Sequence, residues 1–130
     1  MVGQQRYGLW RLLGFGVLAV FMFMGCATVP TEVPQDLTSP ELFQRAQEYS
    51  DSGNQEAALV YIDAIMERFV QEPLTYITAQ YHRALYLQKA KETNMAIGAY
   101  QTLLSRYDAE TGLPEWIRTL ATQKLAELSE

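Results

Sequence analysis

Two stretches of this chain superimpose on each other at a single offset of 38 residues. ALVYIDAIMERF (58–69) falls on AIGAYQTLLSRY (96–107), pairing Ala58 with Ala96, Leu59 with Ile97, Ile65 with Leu103, Met66 with Leu104, Arg68 with Arg106 and Phe69 with Tyr107. The same offset lays FQRA (43–46) on YHRA (81–84) and Tyr49 on Leu87. A repeat of this length is one supersecondary unit. Such a unit buries its apolar face only by stacking on a neighbour, so the fold must be an array of stacked units.

Each copy reads as two helices. Ser39-Pro40-Glu41 opens the first: serine caps free amides, and proline is tolerated at the start of a helix, where its missing N–H is not needed. Asp51-Ser52-Gly53-Asn54 closes it, with Gly53 free to adopt the left-handed conformation past the last turn. The second helix carries Ala58, Ile62, Ile65, Met66 and Phe69 at the spacing of one helical face. Its copy carries Ala96, Tyr100, Leu103, Leu104 and Tyr107. A fifth helix follows Gly112-Leu113-Pro114, with Ile117, Leu120, Ala121, Leu125 and Leu128 on one side. No segment alternates with period two for long. The expected fold class is all-α, with five helices in about two and a half repeats and the last helix closing the second repeat.

These residues resemble tetratricopeptide repeats. In that family small residues recur where paired helices touch, and Ala46, Ala58, Ala84 and Ala96 stand at those positions. Leu42, Tyr49, Ile62 and Ile65 occupy the places of its large packing residues. The sequence departs from the pattern in having Arg45 and Arg83 where leucine is usual. It also has Lys91-Glu92-Thr93-Asn94 where the second copy needs a glycine, and Val70 where proline often ends the second helix. The resemblance implies a groove lined by the first helices of the repeats. Carried over residue by residue, that groove consists of Phe43, Gln47, Ser50 and Asp51, then Tyr81, Leu85, Gln88 and Lys89. It would take an extended or helical peptide from a protein partner, with Phe43, Tyr81 and Leu85 as the aromatic-apolar anchor. The alternative, that these aromatics merely pack between helices, stands beside it.

The N-terminal region limits where such a domain works. Residues 1 to 25 contain no acid, their only charges are Arg6 and Arg11, and from Leu12 to Cys26 every residue is apolar or glycine. A short basic region, an apolar core and then small residues is the pattern of a secretory signal. Phe23-Met24-Gly25-Cys26-Ala27 resembles the lipobox of bacterial lipoproteins, in which a small residue precedes a cysteine that is acylated and becomes the mature N-terminus. Phe23, where leucine is commonest, makes the match a relaxed one. The same residues admit other readings: a buried thiol, an intermolecular disulfide from an odd cysteine in an exported protein, or an uncleaved anchor. Extended through Val29, the apolar run reaches the shortest length that spans a bilayer. The expected organisation is a signal peptide over 1–25, a lipidated N-terminus and flexible tether over 26–39, and a helical domain over 40–130. At about 3.1 Å per residue the proline-containing tether would hold the domain some 40 Å or less from the membrane. Together the two resemblances place the chain beside BamD-like lipoproteins of outer-membrane β-barrel assembly, facing the periplasm from the outer membrane. They also leave open an accessory to an envelope transporter or cell-wall enzyme, and a self-associating spacer.

Charge and inventory narrow the chemistry. After removal of residues 1–25, fifteen acids face eight bases (10 minus 2), a formal net charge of −7. That balance, with its bases scattered, argues against nucleic acid and against electrostatic docking on anionic lipid. His82 is the single histidine and no cysteine lies in the helical region. Nucleophilic triads and zinc ligation therefore lack their residues, and His82 is expected as a surface residue. No glycine-rich phosphate loop is present. The expected protein is not an enzyme, and needs neither metal nor cofactor.

Overall fold

The structure, a computed structural model, describes residues 28–130. Cys26, the expected signal peptide and the lipobox-like stretch lie outside these residues. Five helices follow in order: α1 (Ser39–Asp51), α2 (Gln55–Arg68), α3 (Pro73–Lys89), α4 (Thr93–Ala109) and α5 (Glu115–Leu128). No strand occurs among the described residues. The fold is all-α, a short helical-repeat array, and no described helix is long and apolar enough to cross a membrane.

The repeat is visible down to single hydrogen bonds. At the α1–α2 turn, Ser52 N–H donates to Glu48 O at 3.1 Å, Gly53 N–H to Ser50 O at 3.0 Å and Asn54 N–H to Tyr49 O at 2.9 Å. At the α3–α4 turn, Ala90 N–H donates to Tyr86 O at 2.9 Å, Lys91 N–H to Gln88 O at 3.1 Å and Glu92 N–H to Leu87 O at 3.0 Å. Every donor and acceptor of the second set lies 38 residues after its counterpart. The absent glycine does not alter the turn: Lys91 adopts φ 66°, beside φ 84° at Gly53. A left-handed non-glycine residue costs about 1–2 kcal/mol, and glycine returns part of that through its freer unfolded state. Lys91→Gly should therefore stabilise the domain by about 0.5–1 kcal/mol in chemical denaturation. An unchanged or lowered midpoint would mean that the lysine side chain contributes something the turn does not require.

Capping at the first helix falls one residue earlier than the sequence suggests. Thr38, rather than Ser39, is the N-cap. Its N–H and its hydroxyl both donate to the Glu41 carboxylate, at 2.8 and 2.6 Å, and these bonds hold that carboxyl below the usual range. Pro40 follows within the first turn, as expected.

Packing follows the alanines. Ala46, Ala58, Ala84 and Ala96 are all fully buried, as they must be where backbones approach closely. One core cluster joins α1, α2 and part of α3 through Leu42, Ile62, Ile65 and Tyr86. A second joins α3, α4 and α5 through Ile77, Tyr100, Leu103 and Ile117. Arg45 and Arg83, which stand where leucine was expected, reach outward to Glu48 and Asp63 at 3.3 and 3.0 Å. Such exposed pairs contribute little. Contacts run from each helix to the next and also link α1 with α3 and α3 with α5, whereas the α2 and α4 backbones stay apart on either side of a cleft lined by Met66, Met95 and Ala99. The even helices therefore splay apart, and the array bends toward the layer of α1, α3 and α5.

A further segment covers each end of the two repeats among the described residues. At the C-terminal end α5 buries Ile117 and Ala121, spaced like Leu42 and Ala46 on α1. Its opposite side, Glu115, Thr119, Thr122 and Ala126, is exposed and largely polar, as a terminal cap should be. The expected apolar stripe on α5 needs one correction: Leu120 is 36% exposed, because it lies on the flank beside Trp116 rather than over the core. At the N-terminal end the described part of the expected tether lies against the first repeat. Val33 and Leu37 pack against the first core cluster. The Arg68 guanidinium donates to the carbonyls of Val33 and Pro34, at 2.9 and 2.7 Å. Residues 28–38 thus lie along the first repeat as a strap.

Candidate binding groove

The inner layer carries a run of aromatic rings from α1 across α3 to α5. Phe43 and His82 have centroids 5.5 Å apart, His82 and Tyr81 5.9 Å, and Tyr81 and Trp116 6.4 Å. Tyr86 closes on His82 from within, at 5.7 Å. Spacings of this order, tilted or edge-on, are those in which rings attract. The ladder forms because Phe43 on α1 faces α3 beside the buried Ala46, and because α3 presents Tyr81 and His82 on adjacent flanks of one helix. Trp116, 53% exposed, and Leu120 extend it on α5, while Leu74 at the start of α3 is 61% exposed. This face is therefore apolar toward the helix starts of the inner layer.

Toward the other end the same face is polar and tied together. The Tyr86 hydroxyl donates to Gln47 Oε1 at 3.3 Å, and Gln47 Nε2 donates to Asp51 Oδ1 at 2.7 Å. Lys89 Nζ donates to Ser50 Oγ at 3.1 Å and lies 5.6 Å from the Tyr86 ring centroid. The Tyr100 hydroxyl donates to Gln88 Oε1 at 3.1 Å. Burial raises the phenol pKa of both Tyr86 and Tyr100, so both hydroxyls remain neutral donors.

Of the residues carried over to the groove, Phe43, Leu85 and Gln88 are half-buried, and Gln47, Asp51 and Lys89 are exposed. Two face inward. Ser50 is 5% exposed and donates to Gln55 Oε1 at 3.0 Å; Tyr81 is 8% exposed within the second core cluster. Ser50 and Tyr81 hold the wall in place and offer a partner almost no surface. Trp116 was missed by the sequence reading. Its signal was a Trp116–Leu120 pair four residues apart, flanking the buried pair Ile117 and Ala121.

His82 is half-buried among Phe43, Tyr81 and Tyr86, not on the surface. Its Nδ1 is buried without a hydrogen-bond partner among the described residues. Burial, and secondarily the Lys89 cation, lower its pKa below 6.5. The sign follows from linkage: above 6.5 the ring is neutral in both states and costs nothing. As pH falls below 6.5 the unfolded chain takes up the proton first, so stability is lost until the folded value is passed. His82→Phe should therefore flatten the fall in melting temperature between pH 7.5 and 5.5. Parallel profiles for variant and wild type would place the acid sensitivity elsewhere.

Among the described residues no group of three His, Cys, Asp or Glu side chains converges as metal ligands. No family model matches the chain, and no solved structure matches it. It is 33% identical over 97 residues to an uncharacterized protein of Treponema pallidum (strain Nichols). That match takes in 73% of this chain, which spans only 39% of the relative's length.

Proposed function

We propose that this chain is a lipid-anchored binding module of the bacterial cell envelope, built on tetratricopeptide-like repeats, whose inner groove holds a protein or peptide partner near the membrane. The aromatic ladder from Phe43 to Trp116 carries this reading. Exposed Trp116 and Leu120 on α5 and half-buried Phe43 and Leu85 supply the apolar part of this layer, and Gln47, Asp51 and Lys89 its polar part. Aromatic anchors inside a polar rim are where binding energy concentrates. The lipid would fix location and raise effective concentration, while the groove supplies recognition. A role as an accessory in outer-membrane protein assembly fits, and service to a transporter or cell-wall enzyme would use the same groove. Self-association by end-to-end stacking is less well supported, since the strap and the polar side of α5 cover the two ends of the repeats. No catalytic role is proposed.

A photo-crosslinker at Leu85 should give a discrete adduct in native membranes, and the same group at Gln101 on α4 should not. Equal adducts from both positions would remove the groove from the proposal.

A further inference from the structure

The strap of residues 28–38 has a consequence for how the domain sits at a membrane, and it rests on the reading of Cys26 as a lipid anchor. A free tether of this length would let the domain tumble some 40 Å out. The strap is instead held at several points. Arg68 binds the carbonyls of Val33 and Pro34, Val33 and Leu37 fill the surface of the first repeat, and the Asn54 amide approaches Thr28 O at 3.5 Å. Asn54 is the N-cap of α2, in the turn after α1. The strap therefore runs from the start of α1 back along the first repeat and ends at the α1–α2 turn. From Thr28 to Cys26 the chain reaches at most about 7 Å.

We propose that the strap fixes the domain's orientation, holding the edge that carries the α1–α2 and α3–α4 turns against the bilayer surface. The two turns share that edge because the repeat relates them, donor by donor and acceptor by acceptor. The opposite edge carries the α2–α3 turn and the α4–α5 loop. It lies about 25 Å away, the length of the 17-residue α3 at 1.5 Å per residue. There stand Val70 and Leu74, 53% and 61% exposed, and a cleft lined by Pro73, Leu74, Leu113 and Pro114. The strap thus keeps the polar turns at the lipid and turns the apolar end of the groove toward the aqueous compartment. Charge does not create this orientation: the bilayer-facing edge carries Lys89 and Lys91, but also Asp51, Glu56 and Glu92. The orientation is mechanical.

The acylated full-length protein suits a direct test, since Cys26 is its one cysteine and an introduced thiol labels alone. Spin labels at Asn94→Cys, on the α3–α4 edge, and at Gln71→Cys, on the opposite edge, are compared in vesicles of phosphatidylethanolamine and phosphatidylglycerol doped with a nickel-chelating lipid. Relaxation enhancement should be several-fold greater at position 94 than at 71. Arg68→Ala, which removes both guanidinium bonds to the strap, should collapse the difference. If that variant does not fold, a ten-residue Gly/Ser insertion between Ala27 and Thr28 lengthens the leash without touching the domain, and should also abolish the difference. Equal enhancement at the two positions in the otherwise unaltered protein, or a difference that survives the insertion, overturns the proposal. Cys26→Ala separates the two ideas: persistence on the vesicles would refute the lipid anchor, whereas loss of binding leaves the anchor intact and the label comparison decisive for the strap.

Discussion

Tyr86→Ala should cost about 3–5 kcal/mol of folding stability, the range for truncating a large buried aromatic. Tyr86 is fully buried in the first core cluster, where it joins α3 to α1 and α2. Its ring contacts His82, and its hydroxyl donates to Gln47. Truncation leaves a cavity at the junction between repeats, which the stacked helices cannot close without moving one repeat against the other. Against a typical total of about 5–15 kcal/mol, a loss of this size leaves the domain marginal or unfolded at ambient temperature. Tyr86→Phe separates the contributions. It keeps the ring and removes one hydrogen bond whose acceptor, Gln47, is exposed and can turn to water, so it should cost about 1 kcal/mol or less. Denaturation in urea reads both variants. A cost below about 1 kcal/mol for the alanine would mean that the two repeats do not share a packed interface at Tyr86.

The sequence made the architecture legible because a repeat states the same information twice. The offset of 38 residues located both turns, the four buried alanines and the inner face of α2 and α4, where local propensity alone would have left boundaries loose. It could not show that Lys91 takes over the backbone role of Gly53, since backbone conformation at a lysine has no signature in composition. Thr38 as the cap was visible only through Glu41 three residues on, a pairing overshadowed by Ser39-Pro40. The strap was harder still. ATVPTEVPQDLTS carries no periodicity, and what holds it is Arg68, more than thirty residues away and donating to main-chain carbonyls. A contact to backbone leaves no trace in the identities of the residues contacted. Among the residues carried over to the groove, burial was not legible in the sequence. Ser50 turns inward four residues on from the buried Ala46 and Tyr81 packs within the second core cluster, while Trp116 flanks the buried Ile117 and faces out.

If the groove is the working surface, removing its two outer aromatic anchors should abolish partner binding while leaving the fold in place. Phe43 is half-buried and Trp116 exposed, so alanine at these positions leaves the cores through Tyr86 and Tyr100 largely intact, unlike substitution of Tyr81. Loss of two aromatic anchors typically costs several kcal/mol of binding, at least about a hundredfold in affinity. The decisive measurement is a mild-detergent pull-down of tagged protein from its native membranes, comparing wild type with Phe43→Ala/Trp116→Ala at matched folding by circular dichroism. A defined set of envelope proteins recovered with wild type and lost with the double variant is the expected result. Recovery of the same proteins at the same yield with the variant would contradict a binding groove on the α1, α3 and α5 layer.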